Sequence, residues 1–494
     1  MSNYTKKAIY SLIIVFTFGF LANAAGYFLR VVLARSLSPE EYGLIYSIFA
    51  LFGLVSIFQN LGLNDALVNF ISKFNIKKQP EKIKKCMIFS IVVQIIVSSL
   101  DAIMFILLSG WLSEYYLNYP GAKILIIIYA IGIFLSPIEA WFGSIFQAFQ
   151  HIRLYSMVGL FRALFLLSTT YLLIKMNFGI ASAVIPYVAV YVLSFFLYLP
   201  IMLRIFPFFK TRASKEKSFI KSFIKYGLSI MLTGVAGMII SYTDTFMITL
   251  FRSLKEVGMY NAALPTATIL WFVSGSILAV VFPITSELWH SNKKHLIKDG
   301  LGLLYKYCFV ALVPLAAVFF CFPEVILNLL FGSTYLPAAN ALRVLAIASV
   351  LYNIAGINSS VLSGIGKPHV YSKLMIIAAV LNVLLNLVLI PWLGFFGATV
   401  SMVISFAFLM LASLYNLEKI IKIKAPISDW GKITLFGLIG LGIVFLLKSI
   451  LNMNPWIELI VCCIVAGIVY ISLLFFSRVI EFKEIKELIQ RVLK

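Results

Sequence analysis

Apolar runs of about 20 residues succeed one another along nearly the whole chain, and no other feature constrains its fold as strongly. A helix of about 20 residues crosses a hydrocarbon core about 30 Å thick. Gaps, prolines and charged clusters divide the runs into about fourteen spans, from 8–35 to 456–477, with long ones at 42–72 and 257–289. Only 12% of the residues are charged, against roughly 25% in soluble domains, too few to build an aqueous surface. The chain is therefore expected to be an all-α polytopic membrane protein. Its first run is too long for a signal-peptide core and lacks a small-residue cleavage site, so it reads as a retained helix.

A net charge of +21 would point to nucleic acid in a soluble protein. Here its distribution makes it a topology signal, and no nucleic-acid partner is expected. With the N-terminus cytoplasmic, every even-numbered helix ends inside, and the basic clusters fall there: Lys77, Lys78, Lys82, Lys84 and Lys85; Lys210, Arg212, Lys215 and Lys217; Lys293, Lys294 and Lys298; Lys419, Lys422 and Lys424. This is the positive-inside asymmetry. A multi-pass plasma-membrane protein with both termini cytoplasmic is the expectation. In the tail, Ile485, Leu488, Ile489, Val492 and Leu493 share one helical face with Lys486, Glu487 and Arg491 elsewhere, the pattern of a helix lying along the inner surface.

The chain also repeats itself with a period of about 216 residues. Arg35-Ser36-Leu37 followed by Glu41-Tyr42-Gly43 corresponds to Arg252-Ser253-Leu254 followed by Glu256-Val257-Gly258, and Ser144, Tyr155 and Ser156 correspond to Ser360, Tyr371 and Ser372. Six helices repeat and two are appended. Because six is even, the copies share an orientation, and their symmetry axis is expected along the membrane normal. The expected organisation is an N-lobe at 1–204, a basic cytoplasmic linker at 205–222, a C-lobe at 223–416, appended helices at 417–478 and an amphipathic tail at 479–494. Two pseudo-symmetric six-helix lobes of this kind are expected to enclose a central cavity.

Signals for catalysis are weak. His151, His290, His295 and His369 show no metal-ligand spacing, and Cys86, Cys308, Cys321, Cys462 and Cys463 read as packed thiols. Gly364-Ile365-Gly366-Lys367 is preceded by Val361 where a phosphate loop has glycine and followed by Pro368 where it has Ser or Thr, so no ATP site is read. An integral membrane glycosyltransferase, the enzymatic alternative, needs a sizeable loop bearing acidic groups, whereas the longest loops, near 73–85 and 205–222, are short and basic. Transport without enzymatic chemistry, cofactor or metal is the expectation.

An ionisable side chain inside a span costs roughly 2.5–3.5 kcal/mol on insertion scales, so each is a candidate for facing a cavity. Arg30 lies about 7 Å inside the outer end of the first helix, and Asp244 lies at nearly the same depth in its repeat equivalent. They read either as an ion pair that closes the outer side or as separate sites for substrate and a coupling cation. Glu139 follows Ser136-Pro137, a pair able to break the helical ladder. With Arg162 on the next helix it reads as an intralobe pair or as a proton sensor. Asp101, Asp65, Lys306 and Arg343 complete the set, with structural and functional roles both open. Arg30, Arg162 and Arg343 are the candidate substrate-binding cations, because arginine suits bidentate recognition of phosphate. Asp244, Glu139 and Asp101 are the candidate coupling or gating acids.

The stretch Leu33-Ala34-Arg35-Ser36-Leu37-Ser38-Pro39-Glu40-Glu41-Tyr42-Gly43 resembles the opening signature of the polysaccharide and lipid-linked oligosaccharide flippases, part of the multidrug, oligosaccharidyl-lipid and polysaccharide (MOP) exporter superfamily. Asp244 through Ile248, the turn Gly258 to Tyr260, Phe282-Pro283, and Phe331-Gly332 with Tyr335 are similar to its second-lobe pattern. The resemblance implies alternating access and movement of an isoprenoid-pyrophosphate-linked glycan from the cytoplasmic to the outer leaflet, coupled to an H+ or Na+ gradient. Membrane lipids and glycan-assembly enzymes are the implied partners. The alternative within the superfamily is a multidrug and toxin cation antiporter, which has fewer helices and acids poised for cations, whereas the first helix here carries Arg30 and no acid.

Overall fold

The structure, a computed structural model, describes residues 3–216, 218–422, 425–450 and 454–480, apart from the side chains at 3–9, 11–12, 232–233, 273–280 and 455. Residues 481–494 of the tail, Lys217 and Lys424 lie outside the described residues. The helices are α1 (Asn3–Ser36), α2 (Pro39–Asn60), α3 (Leu63–Ile76), α4 (Pro80–Trp111), α5 (Ala122–Ala148), α6 (Ile152–Lys175), α7 (Ile185–Ile205), α8 (Ser218–Phe251) and α9 (Leu254–Thr268). They continue as α10 (Trp271–His290), α11 (Lys294–Cys321), α12 (Pro323–Leu330), α13 (Ala339–Gly364), α14 (Pro368–Leu393), α15 (Phe395–Ile421), α16 (Ile427–Ile450) and α17 (Pro455–Phe476). Among the described residues, 13 stretches are helices long and apolar enough to cross a membrane. The protein is an all-α polytopic membrane protein.

The span expected over 257–289 is interrupted: it is described as α9 and α10 joined at Ile269 and Leu270, and the side chains at 273–280 lie outside the described residues on which that count rests. Pro265 lies inside α9 and has no N–H for the carbonyl of Asn261. That oxygen accepts from the hydroxyl of Tyr42 instead, at 3.3 Å. The span expected over 42–72 is broken as well, between α2 and α3, where Leu61 and Gly62 both take left-handed backbone conformations (φ 48° and 66°). Only glycine does so without a Cβ penalty. A Cβ on Gly62 would also lie 1.9 Å from the Gly227 carbonyl oxygen of α8.

In both copies of the repeat the Glu-x-Gly stretch opens a helix, with a serine three residues before the glutamate. Ser38 accepts from the Glu41 N–H at 3.2 Å while the Glu41 carboxylate accepts from the Ser38 N–H at 2.9 Å, closing a capping box with Pro39 in the first turn. In the second copy the Glu256 N–H donates to Ser253 at 3.3 Å, and Arg252 pairs with the Glu256 carboxylate at 2.9 Å.

The chain forms two compact units, residues 1–261 and 262–494. In the first, α5 packs against α3, α4 and α7, α1 runs along α6, and α8, the helix expected to open the C-lobe, lies on α2 and α3. The segment between α7 and α8 is docked on the start of α4. Lys84 and Lys85 donate to the Thr211 and Glu216 carbonyls at 2.8 and 2.7 Å, Lys82 meets the Glu216 carboxylate at 2.6 Å, and the Ser214 N–H donates to the Glu81 backbone carbonyl at 3.1 Å. In the second unit α13 packs against α10, α11 and α15, and the α16–α17 pair is joined to α11, with the Tyr470 hydroxyl on the Val310 carbonyl at 3.1 Å.

Candidate functional site

The first unit holds a cavity of about 780 Å³ to which each of α1 to α8 contributes. Its lining is unusual for a unit surrounded by lipid, because amides, hydroxyls and charges predominate on several walls. The α2–α3 break supplies one wall. Asn60 caps the start of α3 by accepting from the Asn64 N–H at 3.1 Å, and the Asn64 side chain accepts from Gln94 of α4 at 2.9 Å. Asp65 and Gln59 belong to the same wall.

A second wall is α5, through Ile133, Ser136, Pro137, Ala140, Gly143 and Gln147, a spacing that puts them on one helical face. Pro137 has no N–H for the Ile133 carbonyl, and the Ser136 hydroxyl donates to that oxygen at 2.8 Å. The same turn carries Glu139. Its side chain is 3% exposed, one oxygen lies 3.9 Å from the Arg162 guanidinium of α6, and the other has no hydrogen-bond partner. A charge-assisted hydrogen bond is about 2.7–2.9 Å long, so the pair is a loose electrostatic contact. The Arg162 side chain is 49% exposed and reaches the cavity. Chemically, the wall offers one accessible guanidinium for an anion beside one enclosed carboxylate able to take a proton or a small cation.

The other candidate residues lie apart from this pair. Arg30 stacks over the Tyr46 ring, 4.7 Å from its centroid, within electrostatic range of Tyr42, Tyr187 and Tyr242. Tyr242 also lines the cavity, so the surroundings of Arg30 and the cavity wall share this residue. Asp101 of α4 faces Gln59, and one of its carboxylate oxygens has no hydrogen-bond partner. Asp244 is 2% exposed and accepts from the Tyr260 hydroxyl at 2.5 Å. It belongs to a seam of α2, α8 and α9 in which Ser47 and Thr249 are hydrogen-bonded at 2.7 Å and Asn261 donates to Thr245 at 3.2 Å. Arg343, in the second unit, donates to the Phe320 carbonyl, Asn340 and Glu324 at 3.0, 2.6 and 2.6 Å. Those bonds tie α13 to the α11–α12 corner.

At the same seam, Gly43 and Gly258 let backbones meet. A Cβ on Gly43 would lie 1.8 Å from the Leu254 carbonyl oxygen, and one on Gly258 would lie 2.3 Å from that of Pro39. The amides of the cavity and this glycine contact escape a reading that starts from charges. Polar amides within apolar runs were the available signal for the first, and the repeated Glu-x-Gly spacing for the second.

Comparison with known proteins gives the same architecture. The profile of the MatE family matches residues 229–388. An uncharacterised membrane protein of Methanocaldococcus jannaschii is 28% identical over 507 aligned positions that span all of both chains. The "Probable low-salt glycan biosynthesis flippase Agl15" of Haloferax volcanii is 25% identical over 55% of this chain and 58% of its own. Among solved structures, a lipid II flippase MurJ in an inward closed conformation superposes with a TM-score of 0.77 at 16% identity, over 94% of this chain and 99% of that one. The profile described as "Polysaccharide biosynthesis protein" matches residues 9–289, more than half of the chain. The protein belongs to this polysaccharide biosynthesis family of the MOP exporter superfamily, whose members include flippases for lipid-linked glycans.

Proposed function

We propose that the protein moves an isoprenoid-pyrophosphate-linked oligosaccharide from the cytoplasmic to the outer leaflet of a plasma membrane, with both termini cytoplasmic. The observation that carries this reading is the polar cavity inside the first unit, with the accessible Arg162 guanidinium among amides, hydroxyls and tyrosines. Arginine matches phosphate oxygens bidentately, and amides, hydroxyls and aromatic faces suit a glycan. Arg162 receives the pyrophosphate, and Arg30 near Tyr242 is the second cation. Glu139, released from Arg162 when the anion arrives, takes up the coupling proton or sodium ion. Asp244 serves the α2–α8–α9 seam as a gate, and the cycle is one of alternating access.

A second reading, a cation antiporter, is favoured by two carboxylates on the cavity wall, Glu139 and Asp65, and by the MatE profile match. One reconstitution separates the two. Liposomes carrying the purified protein and a fluorescent polyprenyl-pyrophosphate oligosaccharide in the inner leaflet are tested for its appearance outside, with a lipophilic-cation dye as control cargo. Protein-dependent movement of the glycan lipid, abolished in Arg162→Ala, is the expected result. Movement of the dye alone makes the protein a cation exporter and overturns the proposal.

A further inference from the structure

The break between α2 and α3 puts amide side chains on the cavity wall whose hydrogen-bonding roles are fixed and only partly used. The Asn60 side-chain oxygen accepts from the Asn64 N–H, so its Nδ2 is the end left to the cavity. The Asn64 side-chain oxygen accepts in turn from Gln94, and Asn64 likewise keeps its Nδ2. Gln94 is 0% exposed, gives one N–H to Asn64, and has no hydrogen-bond partner for its Oε1. A buried amide oxygen without a partner is costly, and folded proteins meet such a group with water or a ligand. Donors from Asn60 and Asn64 beside an acceptor from Gln94 complement groups that both give and accept, as sugar hydroxyls do. The amides are locked to one another and to the α3 backbone, which lowers the ordering cost of binding.

Two neighbours narrow the class of sugar. Tyr242 of α8 lines the cavity and rests against α2, where a Cβ on Gly53 would lie 2.5 Å from its ring. Gly53 is seven positions before Asn60, about 10 Å along a helix, so an aromatic ring and the amides stand along the same helix. The C–H face of a pyranose packs on such a ring while its hydroxyls reach the amides. Asp65, next to Asn64, is exposed and lines the cavity. Its carboxylate accepts from hydroxyls and repels a second carboxylate, an element that works against the wrong cargo. The accessible guanidinium belongs to α6, and α5 packs against α3 and α4 as well as against α6. Amides and arginine therefore come from different helices around α5, one set suited to an uncharged ring and the other to phosphate.

We propose that Asn60, Asn64, Asp65 and Gln94 form a sugar subsite that takes a neutral hexose and rejects a uronic acid. This rests on the reading that the cargo is a pyrophosphate-linked glycan. Because Arg162 borders the same cavity, the sugar that reaches this wall is the one nearest the phosphates, and selection among glycans acts there.

The test measures binding of short-chain probes to the full-length protein in nanodiscs, alongside flipping in liposomes. Three citronellyl pyrophosphate diesters carry glucose, glucuronic acid or a methyl group, so all have the same pyrophosphate charge. The parent protein is expected to bind the glucosyl probe at least tenfold more tightly than either of the others, a comparison that needs no variant. Asn60→Asp keeps the oxygen that caps α3 and replaces the donor with an acceptor, and Gln94→Leu removes the free acceptor. Each is expected to weaken glucosyl binding by up to about tenfold, near the most that one neutral hydrogen bond supplies, and to leave the methyl probe unchanged. Asp65→Asn is expected to narrow the gap between the glucosyl and glucuronosyl probes. Equal binding of those two probes by the parent protein, or variants that weaken the methyl and glucosyl probes alike, overturns the subsite. Continued flipping of a polyprenyl-pyrophosphate glucoside then leaves the flippase reading standing. Glucosyl selectivity that the variants erase, without any flipping, keeps the subsite and sinks that reading, and neither binding nor flipping removes both.

Discussion

Gly43→Ala tests the seam of α2, α8 and α9. The new Cβ would start 1.8 Å from the Leu254 carbonyl oxygen, and ordinary contact begins at 3.4 Å, so the two backbones must separate by about 1.6 Å. The obstructing atom belongs to the main chain of α9 and cannot swing aside as a side chain would. Overpacking of this kind costs about 1–3 kcal/mol, which shifts the balance between closed and open seams by a factor of about 5–150. The assay places a thiol at Ser47, fully buried in the seam and hydrogen-bonded to Thr249, in a protein lacking the five native cysteines. Its rate of modification by a membrane-impermeant maleimide reads the open population. Gly43→Ala is expected to raise that rate by the factor above, and Gly258→Ala, which would place a Cβ 2.3 Å from the Pro39 carbonyl oxygen, by less. Gly237→Ala on α8, where an added Cβ meets nothing within 4 Å, leaves the rate unchanged and stabilises its helix by about 0.5–1 kcal/mol. Equal rates for Gly43→Ala and the parent protein would refute the argument that close backbone approach holds the seam.

Three further outcomes are expected. Gly62→Ala combines a left-handed backbone, worth about 1–2 kcal/mol, with a Cβ 1.9 Å from the Gly227 carbonyl oxygen, worth about 1–3 kcal/mol; a thermal shift in detergent reads the resulting loss of folded protein. Arg162→Ala leaves Glu139 without its cation and lowers stability by about 1 kcal/mol, a figure kept small because half of the Arg162 side chain is exposed; Glu139→Gln in the same chain restores the melting temperature without restoring flipping. The hydrogen bond from Lys82, and then that from Ser218, hold the exposed Glu216 carboxyl below the usual carboxylate range, so its contribution to docking the α7–α8 segment is present above the ordinary carboxylate value and lost as pH falls through the lowered one. Hydrogen-exchange protection of that segment, corrected for the intrinsic pH dependence of exchange, is therefore expected to stay constant from pH 8 to pH 5 and to fall only in stronger acid.

The spans were legible because apolar length is written directly in the residues, and the neighbouring positions of Glu139 and Arg162 followed from adjacent helices. Two breaks were hidden for different reasons. The Leu61–Gly62 break depends on two consecutive left-handed residues, one of them a leucine that no propensity favours there. The α9–α10 break follows Pro265, yet proline is also tolerated within α5 and α11, so its presence alone does not decide between a bend and a break. The cavity wall was missed because Gln59, Asn60, Asn64 and Gln94 are uncharged and raise no alarm in an apolar run. Arg343 ranked as a cavity cation by its residue type, but its partners Glu324 and Asn340 gather at a helix corner visible only once the chain is folded.

The glycine seam also bears on ancestry. Gly43 faces the carbonyl four residues before Gly258, and Gly258 faces the carbonyl four residues before Gly43, so each half gives the other what it receives. Reciprocity of this kind is the mark of an isologous contact between identical subunits. A half-length progenitor would have met its own twin through this glycine, and duplication and fusion would have turned a dimer interface into an internal joint. Once fused, the two glycines are free to diverge separately, yet an added Cβ on either side alone would meet the opposite backbone at 2.3 Å or less, so neither half can relax the contact alone.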